Sequence, residues 1–467
     1  MPEPDNGPIP NHIYGGPTKR LFVSMLTRDI ELDDAILDLL DNSVDGAMRA
    51  NPGKIYDQNP FKGYEARLTV KKSKFEIRDN CGGIPSDYLR DAFSLGRPSA
   101  DKDKDLPTIG MYGIGMKRAI FKICKSARVV SAHRNAHIKV EYSNKWLEPQ
   151  NDDWELPVTN ILQRPTIFGV TISSSDIKND VSEQLGSEIF QNRLRQKISE
   201  HFGYIMQKGF RVWLNDVEVG PSTLPLLAAP YGRNAAIRPF DYISEVGGVH
   251  VKVTIGFFRP LVLEKEIDEE TLAATTAERA GISVVCNDRV VLLHDRSMKS
   301  GWGDGGVPRF HPQFRAIAGL IVLSSNNPLL LPISTTKRDL DVGSDIYLQT
   351  RQACIEGLKV FTSFTNKWKG MEAEAAHYFD AVEKRDVRRE IRFAADHGTA
   401  VRGMPQTKKY KPELPVPASK NPRRRISYIR DIEEIEDVSQ HLFQERNVEP
   451  STVGEFCFDR LLKEARA

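Results

Sequence analysis

The sequence has few cysteines, no long apolar run and almost no net charge. Its five cysteines among 467 residues include no Cys-x-x-Cys pair, which argues for a reducing compartment and against a structural zinc site. Because no stretch of about 18 apolar residues is present, we expect no membrane span. The formal net charge of +2 predicts no global attraction to nucleic acid or membranes. The first residues lack the basic-then-apolar order of a signal peptide, and we expect a cytoplasmic protein.

Two common phosphate-binding fingerprints are also missing. The pattern GxxxxGK[ST] does not occur, so a P-loop is excluded. A glycine triplet at Gly110, Gly113 and Gly115 follows a polar, turn-rich segment rather than a strand. No aspartate lies about 20 residues beyond it to read a ribose, so the dinucleotide-binding fingerprint is excluded as well. A phosphate site at this triplet would therefore be of another type.

Residues 25–50 have the periodicity of an amphipathic helix. An apolar stripe runs from Ile36 to Ala47, and a second stripe carries Asp38, Asn42 and Asp45 at spacings of four and three residues. These three polar groups therefore share one helix face. Asn and Asp form helices less well than Glu, Lys or Ala, so this face favours a functional group over a plain solvated surface.

Residues 65–71 and 74–79 alternate polar and apolar side chains around a short turn, which predicts a β-hairpin. The second strand runs into Asp79, and Gly82 and Gly83 follow. Two glycines after a strand allow a ligand to approach the backbone closely. A carboxylate at the strand end can accept a hydrogen bond from an exocyclic amine.

The glycine triplet opens a second predicted helix. The preceding segment, residues 96–105, is polar and turn-rich, as a mobile lid would be. Backbone N–H groups and the positive end of a helix attract an anion such as phosphate. Lys117 would add a point charge at the same place.

The remaining chain predicts a second α/β domain and a helical C-terminal region. Strand-like runs recur between residues 210 and 323, and residues 345–400 are mainly helical and charged. A lysine- and proline-rich segment then predicts a flexible linker. The predicted segments are an N-terminal arm at 1–20, a first domain at 21–180, a second at 181–345, a helical region at 346–402, a linker at 403–425 and C-terminal helices at 426–467.

The three pieces around Asn42, Asp79 and Gly113, in this order, resemble the GHKL ATPase superfamily of gyrase B, MutL, histidine kinases and the large heat-shock chaperone. The segments 281–291 and 332–339 look like the second domain of the microrchidia (MORC) branch. The resemblance covers roughly residues 20–345. It implies an α/β (α+β) fold, with a Bergerat α/β sandwich on a mixed sheet, a ribosomal-protein-like α/β transducer domain and a mainly helical C-terminal region.

The resemblance also implies an ATP and Mg²⁺ site. Asn42 would coordinate Mg²⁺, Asp79 would accept the adenine amino group, and Lys337 would reach the γ-phosphate from the second domain. Asp38 stands where the family has the Glu that activates water. The nucleotide-binding positions are Asn42, Asp45, Asp79, Gly83, Ile84, Gly96, Gly110, Tyr112, Gly113, Ile114, Gly115, Met116, Lys117 and Thr171, with Asp38 and Lys337 as catalytic residues.

Three positions depart from the family pattern or fit it ambiguously. Asp38 is one methylene shorter than Glu, and a misplacement of about 1 Å can cost on the order of 100-fold in rate. Cys81 replaces a glycine that the family has at the adenine end. The family's adenine-side threonine has two candidates here, Thr166 and Thr171.

These features predict an ATP-hydrolysing switch that dimerises on binding ATP. By similarity to MutL and the microrchidia proteins, we expect a DNA-related or defence-type process, with DNA bound through the basic segment Lys408–Arg425 and a protein partner at the C-terminal helices. The alternatives are a scaffold that binds nucleotide with little hydrolysis, and a histidine-kinase- or chaperone-like protein. A two-component kinase is disfavoured because its phosphoacceptor helix should precede the ATP domain, and here the ATP site starts near residue 25.

Overall fold

The computed structural model is a mixed α/β fold with a further helical pair at its C-terminal end. It forms two compact units, residues 1–417 and 418–467, which are considered separately. The residues described are 18–28, 30–96, 103, 105–110, 113–148, 150–151, 153–230, 236–263, 279–334, 337, 339–417 and 426–466.

The first part of unit 1 is an eight-stranded sheet in the order β5-β4-β3-β6-β2-β1-β7-β8. Only β1 and β7 pair in parallel, so the sheet is mixed. Its elements are α1 Lys19–Arg28, α2 Leu32–Ala50, β1 Glu65–Lys71, β2 Lys74–Asp79, α3 Leu89–Phe93, α4 Gly115–Ile123, β3 Cys124–His133, β4 Ala136–Tyr142, α5 Asn144–Leu147, β5 Val158–Asn160, β6 Gly169–Ile177, α6 Asn179–Gly186, α7 Glu188–His201, α8 Gly203–Gln207, β7 Arg211–Leu214 and β8 Val217–Glu218.

The helices of this part cover one face of the sheet. In β1 the buried side chains are Ala66, Leu68 and Val70, at the spacing of two that a half-buried strand requires. They belong to one apolar core with residues of α2, α4 and α7. The predicted hairpin of β1 and β2 is confirmed, with Lys71 opposite Lys74 at the turn.

The second part of unit 1 is a seven-stranded sheet in the order β13-β12-β14-β11-β10-β17-β16. Its long helix α9, Asp345–Lys367, packs on β11, Val249–Phe257, where the rings of Phe257 and Phe361 have centroids 5.0 Å apart. The elements are β9 Pro225–Ala228, β10 Phe240–Val246, β11 Val249–Phe257, β12 Gly281–Cys286, β13 Arg289–Asp295, β14 Ile317–Ser324, α9 Asp345–Lys367, α10 Glu372–Ala375, β15 Glu383–Asp386, α11 Phe393–His397, β16 Thr399–Val401 and β17 Met404–Tyr410. Strands β9 and β15 form a separate pair.

Two segments of the chain belong to different parts of the fold from those that the sequence predicts. Strands β7 and β8 complete the first sheet, and Val219 still lies in its core, so the first sheet extends well beyond residue 180. The linker prediction for residues 403–425 is wrong at β17, which pairs with β10 and β16. In β17 the lysines Lys408 and Lys409 follow a buried Thr407, whose hydroxyl lies 2.7 Å from Ser244 Oγ. A half-buried strand of this polarity has the composition of a linker.

The second unit contains two helices, α12 Ile432–Phe443 and α13 Pro450–Arg466, as predicted for this region. The rings of Phe443 and Phe456 lie 5.1 Å apart. Among the described residues of this unit, only Ser439 and Val453 are buried. No helix in the described parts of the chain is long and apolar enough to cross a membrane.

Candidate functional site

Helix α2 is buried on almost every side and opens at one position. From Leu32 to Met48 every residue is buried except Asn42. Two members of the polar stripe, Asp38 and Asn42, line a cavity, into which Asn42 presents its amide.

Asp79 sits at the end of β2 and is held by three donors. The backbone N–H groups of Cys81 and Val170 each donate to Asp79 Oδ1 at 3.0 Å. The hydroxyl of Ser43, on α2, donates to Asp79 Oδ2 at 2.8 Å. An ionised carboxylate offers about four acceptor positions, so one position on Oδ2 remains for a ligand. Burial raises the pKa of Asp79, and the three hydrogen bonds and the Arg49 charge act against this rise.

Two glycines beside Asp79 have no room for a side chain. A Cβ at Gly83, where φ is +72°, would lie 2.1 Å from Ala132 O. A Cβ at Gly169 would lie 2.0 Å from Asp79 O. The backbone therefore passes close to β3 and β6 at this end of the cavity, and Ile77, Val170 and Ile172 line it.

The start of the glycine triplet is fixed by Asp45. The backbone N–H groups of Ile109 and Gly110 both donate to its carboxylate at 2.8 Å. A Cβ at Gly110 would lie 2.6 Å from Asp45 Oδ2, so a side chain here would displace the Asp45 carboxylate. Gly113 has a φ of +66°, and Gly115 begins α4. Asp45 thus fixes the start of the glycine loop by accepting from these two N–H groups.

A chain of buried ion pairs closes the other end of the cavity. Arg118 on α4 pairs with Asp38 Oδ2, and Lys337 Nζ lies 3.6 Å from Asp38 Oδ1. Lys337 Nζ also donates to Asp41 Oδ2 at 2.8 Å, while Arg289 Nε donates to Asp41 Oδ1 at 2.9 Å. The network joins α2 and α4 to two segments of the second part of the unit.

Charge in this network is stabilised by mutual pairing. Burial alone would raise the pKa of Asp41, but Lys337 and Arg289 outweigh it and the pKa is lowered. Burial alone would lower the pKa of Lys337, but Asp41 and Asp38 outweigh it and the pKa is raised. Lys337 also has a φ of +56°, an uncommon conformation for a residue other than glycine. Strained backbone of this kind clusters at functional sites.

The structure brings most of the predicted site residues around one open cavity. The residues that line it include Arg49, Tyr88 and Asp103 at one rim, where Tyr88 donates to Asp103 Oδ1 at 3.1 Å. The predicted residues that line it are Asp38, Asn42, Asp79, Gly83, Ile84, Gly110, Gly113, Ile114, Gly115, Met116, Lys117 and Lys337.

Three of the predicted residues that the structure describes do not line this cavity. Asp45 acts through the glycine loop, and Gly96 is not among the lining residues. Tyr112 lies outside the described residues. On β6, Val170 and Ile172 face the cavity, so Thr171 points to the opposite face of the sheet, where it lines a different surface pocket together with Thr166.

Lys117, predicted to add a point charge near the phosphates, forms a hydrogen bond within the protein. Its side chain is buried, and Nζ donates to Ala92 O at 2.8 Å. Ala92 belongs to α3, so Lys117 ties the start of α4 to α3. It lines the cavity while holding this bond.

Sequence reasoning missed three charged members of the ion-pair network: Asp41, Arg118 and Arg289. Asp41 lies on the apolar side of the polar stripe, and such a position normally predicts a core residue. Arg118 follows Lys117 in a helix whose charged residues have the pattern of a solvent-exposed face. Arg289 is distant in sequence, and its only local signal is the Asn287-Asp288 turn before it, a sequence that favours a tight hairpin.

Residues 30–166 match the model of a family described as Histidine kinase-, DNA gyrase B-, and HSP90-like ATPase. The match supports the GHKL superfamily. The matched span contains Asn42, Asp79 and the glycine triplet, and the mixed sheet with helices on one face agrees with the α/β sandwich predicted from the resemblance. No curated protein matches the chain. The microrchidia-like assignment of the second part stays a prediction, since Lys337 and Arg289 lie beyond the matched span.

Proposed function

We propose that this protein binds ATP with Mg²⁺ in the cavity between α2, β2 and α4, and hydrolyses it. One observation carries the proposal. An exposed amide on an otherwise buried helix, a strand-end carboxylate and a glycine-opened helix converge on one cavity, and Lys337 reaches it from the second part of the unit.

The Asp79 end suits adenine. The free acceptor position on Asp79 Oδ2 would take a hydrogen bond from the 6-amino group. Ile77, Val170 and Ile172 offer apolar contact to the flat base, and Gly83 lets it approach the backbone. A binding site that is mostly apolar with one or two placed polar groups is typical for such ligands.

The opposite end suits the phosphates. The N terminus of α4, which Gly115 begins and which lines the cavity, favours anions. Asn42 Oδ1 is a hard oxygen donor that would hold Mg²⁺ together with phosphate oxygens and water, since Mg²⁺ commonly takes one or two protein ligands in nucleotide sites. Bound there, Mg²⁺ would neutralise phosphate charge as the terminal phosphoryl group leaves.

Hydrolysis would depend on Asp38, Arg118 and Lys337. Asp38 would orient the attacking water and take up its proton. Lys337 would move to the terminal phosphate, where a fixed positive charge stabilises the charge that develops in the transition state. Because both oxygens of Asp38 are close to cations, a low-turnover nucleotide switch is the second candidate.

The decisive experiment compares the wild type with Asn42→Ala for ATP affinity with and without Mg²⁺, and for phosphate release. Asn192→Ala, an exposed asparagine on α7 away from the cavity, is the matched control. We expect Mg²⁺-dependent binding in the wild type and the control, and its loss in Asn42→Ala. A folded wild type that binds no adenine nucleotide would refute the proposal. Binding without measurable phosphate release would favour the low-turnover candidate.

We further propose an ATP-dependent homodimer acting in a DNA-related or defence-type process in the cytoplasm, as the resemblance to MutL and the microrchidia proteins implies. The basic segment Lys408–Arg425 offers less support for DNA binding than expected, because Lys408 and Lys409 lie on β17 and Lys409 pairs with Glu356. Exposed apolar side chains such as Ile429 and Phe458 support a protein partner at the C-terminal helices. Size-exclusion chromatography with ATP, with a non-hydrolysable analogue and with ADP tests the dimer.

A further inference from the structure

The hairpin of β12 and β13 contacts the phosphate end of the cavity through its tip. Asn287 and Asp288 form the turn, both with positive φ. Asn287 Nδ2 donates to Thr108 O at 3.2 Å, directly before the loop that Asp45 holds. Arg289 follows and pairs with Asp41 on α2. The tip therefore contacts both elements that form the predicted phosphate site.

The position of Arg289 is fixed from several sides. Its guanidinium lies 4.3 Å from the centre of the Phe202 ring, and Nη1 donates to the backbone oxygen of Val290 at 2.9 Å. The neighbouring turn residue Asp288 is held by Lys208, whose Nζ lies 2.5 Å from Asp288 Oδ2. Arg289 thus presents its Nε to Asp41 from a rigid support.

The charges of the network explain why a second cation on Asp41 matters. Three cations, Arg118, Lys337 and Arg289, face two carboxylates, Asp38 and Asp41. Asp41 is fully buried, and a buried carboxylate without a partner is strongly unfavourable. If Lys337 were its only partner, Lys337 could not leave without stranding that charge. With Arg289 in place, Asp41 remains paired when Lys337 moves.

We propose that Arg289 is a positioning residue that compensates Asp41 and so frees Lys337 to bond the terminal phosphate of bound ATP. Arg289 itself touches no substrate. This inference rests on the proposed ATP site and adds the group that makes its lysine available. Through Arg289, the tip of this hairpin in the second sheet would also control whether Lys337 responds to nucleotide.

The test measures ATP and ADP affinities and steady-state phosphate release for Arg289→Gln, Asp41→Asn and the double variant. Arg289→Gln should lower kcat/KM for ATP roughly 10-fold or more, a common size for coupling between two sites. Its ADP affinity should match the wild type, because ADP lacks the phosphate that Lys337 would reach. Asp41→Asn/Arg289→Gln should recover much of the loss, because a neutral residue 41 no longer retains Lys337.

Three further measurements separate positioning from support of the fold. Arg289→Gln added to Lys337→Ala should cause no further loss of turnover, since both act through the same lysine. The exposed pair Arg211–Glu218, changed to Gln at both positions, is the control and should leave ATP and ADP binding unchanged. Thermal unfolding of each variant establishes that it is folded.

Several results would overturn the inference. Equal loss of ATP and ADP binding in Arg289→Gln, wild-type turnover in that variant, or a folded double variant no better than Arg289→Gln would each do so while the proposed ATP site stands. A wild type that binds no ATP would overturn both together.

Discussion

The substitution Asp79→Asn changes one hydrogen-bond acceptor that faces the cavity, while the hydrogen bonds that hold the side chain in place can be kept. The N–H bonds from Cys81 and Val170 to Oδ1 remain available to an amide oxygen. The hydroxyl of Ser43 can turn from Oδ2 toward Leu39 O, which lies 3.4 Å away, and then accept from the new NH₂ group. We therefore expect the free energy of unfolding to change by only about 1 kcal/mol, the typical net worth of one hydrogen bond.

The effect on ATP should be much larger. The free position on residue 79 would become a donor and would meet the donating 6-amino group of adenine. A hydrogen bond to a charged acceptor contributes about 1.5–3 kcal/mol, so its loss should weaken ATP binding about 10- to 100-fold. Inosine triphosphate carries an accepting oxygen at the same place, and Asp79→Asn should bind it better than the wild type does.

Calorimetric titration of both nucleotides into wild type and Asp79→Asn checks this, with thermal unfolding measured in parallel. Asp180→Asn, an exposed acid in the first turn of α6, is the control. Unchanged ATP affinity in a folded Asp79→Asn variant would refute the assignment of the adenine end. Equal weakening of both nucleotides would refute the donor–acceptor reasoning while leaving a role for the charge.

Three other predictions follow from the same geometry. Asp38→Asn should lower phosphate release about 100-fold with ATP binding retained, and unchanged release would move the water-activating role elsewhere, with Glu31 as the next candidate. Gly83→Ala should destabilise the fold by about 1–3 kcal/mol in thermal unfolding, because the new Cβ clashes with Ala132 O. Gly53→Ala is the control and should be neutral, because a Cβ at Gly53 meets nothing within 4 Å. Desolvation, with the Arg289 charge, lowers the pKa of His201 to about 3. In the unfolded chain the imidazole of residue 201 takes up a proton near pH ~6.5, whereas in the folded chain it stays neutral until the pH approaches ~3. The free energy of unfolding therefore falls as the pH drops through this window, by up to ~1.4 kcal/mol per pH unit. His201→Gln should remove this pH dependence from denaturation curves measured across the window.

Local patterns predicted the first part of the site well because each piece is a short run with its own period. The spacing of Asp38, Asn42 and Asp45 follows directly from a helix, and Asp79 from the end of a strand. Side-chain direction on β6 was the exception. Thr166 and Thr171 were both candidates because the sequence does not fix which face of a strand meets a ligand when both faces carry mixed residues.

Long-range pairing could not be predicted in the same way. Asp41 and Arg289 are separated by 248 residues, and neither has a local signal that names the other. The end of the first sheet was also missed, because β7 joins it in parallel beside β1 after three helices. The polar strand β17 resembles a linker in composition, and only its pairing with β10 reveals it as part of the second sheet.

The shorter acid at position 38 fits this particular site, and its neighbours explain how. A Cβ at Gly115 would lie 3.3 Å from Asp38 Cβ, so the start of α4 lies directly against this residue. Arg118 holds Oδ2, and Lys337 stands near Oδ1. A carboxylate held by two cations is fixed in position. We therefore expect Asp38 to act chiefly by orienting water and placing the two cations, so that electrostatic stabilisation supplies most of the rate enhancement.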